Sequence, residues 1–552
     1  MSLLSKLFRK KNLDQILSDS ENQEHKLKKT LTAFDLVIFG VGAMIGAGIF
    51  ALTGAAAVGS ADHVGAGPAL VVSFAITGVI CGFCALCYAE FAAMAPISGS
   101  AYTYAFSTLG EFVAWIIGWA LVLEYAVGNM AVAVSWTGSI KEFTKLFGFE
   151  MPAILTQNTI DTVVSLKDAD PSILLHSIPF QLPGGDQVQY LLIQKAFNLP
   201  AMLIVAGVTA LLYVGVSESA RTAAIMVFMK TAVVLLFIGF GIMFITNGHW
   251  ETFQTNWFAD GLNTFAPNGW SGILTGAATI FFAYIGFDAV STAAEETKNP
   301  QKDIPIGIMG SLALCTLLYI LVTAVITGLV PLPLINKEAA VVGAMNMMGY
   351  KWASILVNIG AIAGLSSVLL VLQMGGTRIF YAIGRDGLLP SSLSKIHPKF
   401  QTPHICTVIV GLFVALGAAS LPINLLAEMC NIGTLGAFVV VCLGVAILRF
   451  SDPGRKRPFR APLGLTFPIL GMIGCLGVML GIPDFSSIGS NNFKMIGGLP
   501  TTTWVVTIAW FILGMIIYFG YGLRHSKLNG KASEAKLESE LSPVLKLDPI
   551  VR

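Results

Sequence analysis

Twelve apolar runs, each of about 20 residues or more, recur along this chain and constrain its fold more than any other feature. An α-helix of that length crosses the roughly 30 Å hydrocarbon core of a bilayer. Only 12% of the 552 residues are charged, whereas soluble domains average about 25%. The sequence therefore predicts an all-α integral membrane protein with 12 transmembrane helices, at residues 34–58, 68–95, 110–138, 195–217, 221–246, 271–294, 304–330, 353–383, 403–422, 429–450, 462–482 and 502–523.

The basic residues are distributed unevenly between the loops, and this predicts the orientation. An even number of spans places both termini on one side of the membrane. With the termini inside, 25 of the 33 Lys and Arg residues are cytoplasmic, seven are external and Lys230 lies within the membrane. Because loops rich in Lys and Arg stay on the cytoplasmic side, we predict a multi-pass protein of the plasma or inner membrane with both termini in the cytoplasm.

The spans divide the chain into four segments. These are a cytoplasmic N-terminal segment (1–30), a ten-helix core (31–450), two extra C-terminal helices (451–524) and a cytoplasmic tail (525–552). Residues 1–30 lack the apolar region of a cleavable signal peptide. The long external loop, 141–192, contains no cysteine, so we expect no disulfide framework.

Three cysteines recur at three-residue intervals in the second span. Cys81, Cys84 and Cys87 therefore share one helix face. A metal site would need a fourth ligand, and no histidine lies nearby in the sequence. We interpret the three as small packing residues.

The first span contains GAMIGAGIF (42–50), with three glycines in nine residues. Inside a membrane every backbone N–H and C=O needs a partner, and non-helical backbone survives only against protein or a water-filled cavity. The glycines therefore indicate either close packing of another helix or a break in this one. A second anomaly, FFAYIGFDAVST (281–292), places Gly-Phe-Asp inside the sixth span. Glycine-interrupted spans at corresponding positions of two halves indicate a substrate site near the membrane centre, which favours the break.

The depth of the first break agrees with this interpretation. From Asp35 to Gly46 is about 16 Å of helix, roughly half of the hydrocarbon thickness. The positive end of the second half-helix, near Ala47 and Gly48, suits a carboxylate. Carbonyl groups freed by the two breaks suit an ammonium group, and we place them at Ala43, Met44, Phe282, Ala283 and Ile285. A site that offers both is an α-amino acid site.

Three ionisable residues fall deep inside predicted spans. Lys230 lies about 13 Å past Arg221 along the helix, too deep to reach the headgroups without strain. Burial disfavours a charged lysine, so Lys230 either carries a proton during transport or stays charged and binds carbonyls of the first span. Glu124 shapes the substrate cavity or holds a helix pair. Asp288 caps amides freed by the second break or titrates.

Five motifs resemble those of the amino acid–polyamine–organocation transporters, and within them the cationic amino acid transporter subfamily and its bacterial homologues. They are LTAFDLVIFGVGAMIGAGIF (31–50), PAL (68–70), YAEFAAMAPISGSAYTYAF (88–106), FFAYIGFDAVSTAAEETKNPQKDIPIGI (281–308) and TRIFYAIGRDGLLP (377–390). The resemblance covers about residues 28–525. It implies a five-plus-five inverted-repeat (LeuT-like) fold with helices 1 and 6 unwound.

The same resemblance implies roles for individual residues. The substrate carboxylate meets amides at Gly46, Ala47 and Gly48, and its amine meets carbonyls around Ala43–Ile45 and on span six. Phe282 covers the cavity, while Glu124 and a span-eight side chain near Leu369 border it. A lysine at the position of Lys230 carries the proton and reaches span one and the span-eight hydroxyls, Ser366 or Ser367.

These features predict a secondary active transporter that imports L-amino acids by proton-coupled symport. Leu369 is bulky, which favours broad or neutral substrates over cationic ones. The alternative is an amino acid or polyamine exchanger of the same fold without proton coupling. We expect no enzyme activity, no metal or other cofactor and no nucleic-acid partner, with a proton gradient as the driving force. We also expect contact with membrane lipid; the sequence is silent on protein partners.

Overall fold

The computed structural model describes residues 7–10, 31–59, 64–94, 100–163, 173–180, 189–215, 220–400, 402–483, 495–496, 498–499 and 501–528. Most of the N-terminal segment 1–30 and of the tail 525–552 lies outside these ranges. So do residues 95–99 of the third motif and parts of the external loop.

The described part of the chain is mostly helical. Its α-helices are α1 (Ala33–Met44), α2 (Thr53–Val58), α3 (Leu70–Met94), α4 (Ser100–Thr108), α5 (Glu111–Lys145), α6 (Ala153–Thr156), α7 (Leu199–Val214), α8 (Ala220–Thr246), α9 (Trp250–Phe258), α10 (Leu262–Phe265), α11 (Gly269–Ile280), α12 (Pro300–Leu329), α13 (Ala340–Met347), α14 (Lys351–Arg385), α15 (His404–Ser420), α16 (Ile423–Ser451), α17 (Thr466–Leu480), α18 (Thr501–Ile517) and α19 (Leu523–His525). A π-helix, Gly48–Leu52, precedes α2.

Eight helical segments in the described residues are long and apolar enough to cross a membrane. A ninth candidate is a bent pair, α1 with Gly48–Val58, whose two parts meet at 49°. Three shorter apolar helices, α7, α15 and α17, have 15–17 residues each. This is the multi-pass arrangement of a membrane protein. Large apolar side chains such as Phe228 and Leu203 point outward, as a lipid-facing surface requires.

The prediction of an all-α chain is wrong for the loop between α5 and α7, which the sequence assigns to the external side. Three strands, β1 (Ile160–Val163), β2 (Leu174–Phe180) and β3 (Gln189–Gln194), form an antiparallel sheet in the order β1–β3–β2. Leu192 of the central strand is fully buried. Hydropathy finds spans of about 20 residues, and it does not register strands of four to seven residues whose side chains alternate between two faces.

The long helices surround one continuous apolar core. Helix α5 packs against α14 and α16, α3 packs against α12, and α1 packs against α12 and α8. Helix α5 extends seven residues past the predicted end of its span at 138, to Lys145. The core therefore places the broken first span between helices α8 and α12.

One end of this bundle contains a buried charged cluster, the Glu90 cluster. Its carboxylate accepts hydrogen bonds from Arg449 Nε at 3.1 Å, from Arg449 Nη2 and from the Ala461 N–H at 2.8 Å. Arg457 Nε lies 3.6 Å from the same carboxylate. The cluster thus joins the end of α3 to the end of α16 and to the chain that follows it.

We predict that Glu90→Gln destabilises the fold by about 3–5 kcal/mol, because the change leaves two buried guanidinium groups without their anion. Asp452→Asn is the matched control. It breaks a half-exposed ion pair with Arg455, 2.9 Å long, which contributes no more than about 1 kcal/mol. The free energy of unfolding in detergent micelles checks both values, and equal losses in the two variants would contradict the assignment.

Candidate functional site

The first span breaks at the glycine-rich stretch. Thr32 and Asp35 cap the start of α1, since the Thr32 N–H donates to the Asp35 carboxylate at 2.9 Å. The helix ends at Met44, and Ile45 has extended backbone angles (φ −72°, ψ 97°). Helical structure resumes at Gly48. The break therefore falls on the residues that the sequence singles out.

The sixth span also loses its α-helical form in its middle. Helix α11 ends at Ile280 and continues as a 3-10 turn, Phe281–Tyr284. Ile285 is extended (φ −59°, ψ 130°). Gly286 follows at φ 116°, a conformation that glycine adopts without steric cost. A second 3-10 segment, Asp288–Glu296, completes the span.

The two breaks contact each other directly. A Cβ added at Gly48 would lie 2.3 Å from Ala283 Cα. A Cβ added at Gly286 would lie 2.9 Å from the carbonyl carbon of Ala43. The sequence left two explanations for the glycines, a broken helix or close packing, and in the structure the same residues do both.

The freed backbone groups carry opposite partial charges. Ile49 and Phe50 donate to Gly46 O, each at 3.2 Å, so the second half-helix starts there. The N–H groups at the start of a helix, here those of Ala47 and Gly48, have no partner inside that helix. They form the positive end of its dipole, where an anion is stabilised.

The carbonyls of the two breaks share one partner that the sequence reasoning missed. Tyr319 of α12 has its hydroxyl 2.8 Å from Met44 O and 2.9 Å from Ala283 O. A phenol has a single O–H donor, so it satisfies these two acceptors only partly. The sequence signal that could have identified Tyr319 was its place in the middle of an apolar span, because a buried tyrosine hydroxyl usually has a hydrogen-bond partner.

Lys230 of α8 is 1% exposed, and its ammonium donates to Gly42 O at the end of α1. The Lys230 side chain thus lies against the first span, and Gly364 of α14 packs next to it. Ser366 faces another way, since it donates to Ile362 O at 2.8 Å and accepts from Trp136 Nε1 at 3.0 Å. Ser367, on the same helix, is buried.

The two carboxyl groups are buried on different helices. Asp288 Oδ1 accepts from the Gly286 N–H at 3.3 Å, which is the capping arrangement considered from the sequence. Glu124 of α5 is 3% exposed. Its Oε2 atom has no hydrogen-bond partner among the described residues. An orphaned buried oxygen of this kind is costly, and it makes Glu124 a candidate contact for a ligand.

The apolar candidates lie around the breaks. Val368 of α14 is the span-eight side chain nearest to Gly46, with a methyl group 3.3 Å from a Cβ added there. Its neighbour Leu369 is fully buried. The Phe282 ring edge lies 3.8 Å from a Cβ added at Gly128 of α5. Among the described residues no group of three His, Cys, Asp or Glu side chains could hold a metal ion.

Comparison with known proteins shows which protein family the chain matches. Residues 31–517 match the family model described as amino acid permease. The chain is 40% identical to the branched-chain amino acid permease BcaP of Bacillus subtilis, over 95% of this chain and 99% of the relative. It is 38% identical to the methylthioribose transporter of the same organism, over 95% of this chain and all of the relative (100%). It is also 30% identical to cationic amino acid transporter 4 of Homo sapiens, over 95% of this chain and 92% of the relative.

We predict that Gly48→Ala destabilises the protein by about 1–3 kcal/mol, because the new methyl group overpacks the backbone at Ala283. Gly82→Ala is the matched control, since a Cβ at Gly82 of α3 meets nothing within 4 Å. The control should melt at the same temperature as the native protein or higher. Thermal melting in detergent measures both variants, and a Gly48→Ala protein as stable as the control would contradict direct contact between the breaks.

Proposed function

The chain belongs to the amino acid permease family, whose relatives are transporters and not enzymes, and from this premise we propose that it imports L-amino acids by proton-coupled alternating access. The observation that carries the proposal is the direct contact of two interrupted spans, at Gly48 with Ala283 and at Ala43 with Gly286. Broken spans that meet near the membrane centre are the arrangement that secondary transporters use for substrate binding.

We assign the chain twelve spans: ten in a five-plus-five inverted repeat and two extra helices after it. Eight candidate spans, the bent pair and the three shorter helices α7, α15 and α17 together supply that number. Helices 1 and 6 of the repeat are the two interrupted spans. The excess of basic residues in one set of loops supports cytoplasmic termini and a place in the cell membrane.

The substrate's two charged ends meet the two breaks. Its carboxylate accepts hydrogen bonds at Gly46, Ala47 and Gly48, where the second half-helix begins. Its ammonium group donates to carbonyls at Ala43, Met44 and Ile45, and at Phe282, Ala283 and Ile285 on the other break. Because Gly48 touches Ala283 in this structure, the breaks separate when the substrate enters.

Apolar side chains next to the breaks favour a neutral substrate. Val368, Leu369 and Phe282 would surround the substrate side chain, with Glu124 at the border of the same cavity. A relative is named as a branched-chain amino acid permease, which agrees with an apolar cavity. Another is named as a methylthioribose transporter, so family membership alone does not fix the substrate.

The loop between α12 and α13 supports alternating access. It lies over the half of span one that follows the break, since a Cβ added at Gly54 would lie 2.3 Å from Asn336 O. Asn336 Nδ2 donates to the Glu142 carboxylate of α5 at 3.0 Å, and Asn346 Nδ2 donates to the same group at 3.2 Å. We therefore assign this loop the role of a cover on the proposed external side, as one state of the cycle requires.

Lys230 is the proposed proton carrier. As an ammonium it donates to Gly42 O and neutralises the negative end of α1. Once it has lost its proton, that end of α1 loses its counter-charge and the first half-helix is free to shift. In this scheme Ser367, with Ser366 beside it, would receive the lysine in the alternate position.

We predict that the purified protein in liposomes accumulates labelled L-leucine against its concentration gradient when an inward proton gradient is imposed. Uptake should collapse when a protonophore removes the gradient, because the proton is the driving ion. Unlabelled neutral, basic and acidic amino acids, and methylthioribose, then define the substrate range by competition. Uptake that ignores the gradient but needs internal amino acid would contradict symport and identify an exchanger.

Lys230→Met provides the internal test of the same prediction, since methionine keeps most of the length of the side chain and removes its charge. Gradient-driven accumulation of L-leucine should fall at least about tenfold, while the melting temperature stays close to that of the native protein, which shows that the variant is still folded. Lys351→Gln is the control, because Lys351 is exposed at the start of α14. Full accumulation by Lys230→Met would remove the lysine from the proton pathway.

A further inference from the structure

Residues 449–465, the basic loop, comprise the last three residues of the apolar helix α16 and the chain that joins it to the apolar helix α17. It contains five cations, Arg449, Arg455, Lys456, Arg457 and Arg460, and a single acid, Asp452. Because apolar helices enter the bilayer on both sides of it, the loop lies at the membrane surface whichever way the protein is oriented. Its charge is therefore presented where lipid headgroups are.

Two of these cations stabilise the folded form of the loop by hydrogen bonds to backbone carbonyls. Arg449 Nη2 donates to Ala461 O at 3.1 Å, and Arg449 also bonds Gly464 O. Arg457 Nη2 donates to Leu448 O and Asp452 O, each at 2.9 Å. Within the part of the chain that the structure describes, Glu90 is the carboxylate that faces both guanidinium groups. The folded interior of the loop thus keeps a net positive charge.

The other cations lie on the surface. Lys456 and Arg460 are exposed, whereas Arg455 pairs with Asp452 at 2.9 Å. Neither Lys456 nor Arg460 takes part in the hydrogen bonds that fold the loop. Their side chains can therefore bind an anion while the loop stays folded.

Two exposed apolar side chains flank these charges. Phe450 and Leu463 are each 72% exposed. Leu463 also has φ 54°, the single positive φ of a non-glycine residue among those described. That conformation is strained for a leucine. The two exposed apolar side chains are the feature that suits a contact with the apolar boundary of a membrane.

We propose that the basic loop binds an anionic phospholipid. Lys456 and Arg460 contact the negatively charged headgroup, and Phe450 and Leu463 enter the apolar boundary beneath it. Clusters of basic residues next to membrane helices bind anionic lipid in this way, and apolar side chains deepen the contact. The partner is a lipid and not a small anion, because the flanking side chains need an acyl environment. This inference does not depend on which substrate is carried.

The test measures lipid preference and not transport. The full-length protein in neutral detergent is titrated with phosphatidylglycerol or phosphatidylcholine, and bound lipid is counted by native mass spectrometry. The native protein should prefer phosphatidylglycerol. Lys456→Gln/Arg460→Gln should lower its apparent affinity roughly 25-fold, about fivefold per cation. Lys395→Gln/Lys399→Gln, which removes two exposed cations from the loop after α14, should leave the affinity unchanged.

A third variant separates the apolar contact from the charge. Leu463→Gly relieves the strained φ and removes the side chain, so it should keep or raise the melting temperature in detergent and still weaken lipid binding several-fold. Three results would overturn the proposal. They are equal affinity of the native protein for both lipids, equal losses in the two charge variants, and competition by inorganic phosphate or glycerol phosphate at the concentration of the lipid.

Discussion

A peptide group in hydrocarbon must have a hydrogen-bond partner, and this requirement determines how the centre of the molecule is built. Two spans stop being α-helical there, after Met44 and after Ile280. Glycine lets the interrupted segments touch, so each break shields the other from lipid. Packing thus keeps lipid away from the breaks, while some of their backbone polar groups still lack a full set of hydrogen-bond partners.

Side chains from neighbouring helices supply partners for one set of these groups. Lys230 donates to Gly42 O, and the Tyr319 hydroxyl lies within hydrogen-bond distance of Met44 O and Ala283 O. All three acceptors are carbonyls, at the negative ends of interrupted segments. Among the described residues no side chain caps the corresponding N–H groups at the start of the second half of span one, and this is where we propose that the substrate carboxylate binds. The asymmetry fits a ligand that carries one charge of each sign.

Periodicity and glycine content directed attention to residues 42–50 and 281–292, because a glycine cluster in an apolar run has few physical explanations. The structure bends the chain by 49° at the first and has 3-10 segments at the second, while unwinding at a substrate site stays a prediction. The motif resemblance to the amino acid–polyamine–organocation transporters is confirmed by the family match. Tyr319 was missed because its importance depends on two carbonyls that lie 275 and 36 residues away. Strands β1–β3 were missed because they are too short for a hydropathy signal. The site roles of Glu124, Leu369 and the span-eight serines stay predictions.

In the proposed mechanism a zwitterion completes both breaks, and analogues of L-leucine test this most directly. 3-Methylbutylamine lacks only the carboxylate, and 4-methylpentanoate lacks only the amine. The measurement is the concentration at which each compound halves the uptake of labelled L-leucine into liposomes. Loss of either charged group should weaken inhibition at least about 100-fold, since each makes more than one charge-assisted hydrogen bond. Inhibition by either analogue within about threefold of L-leucine itself would contradict the account.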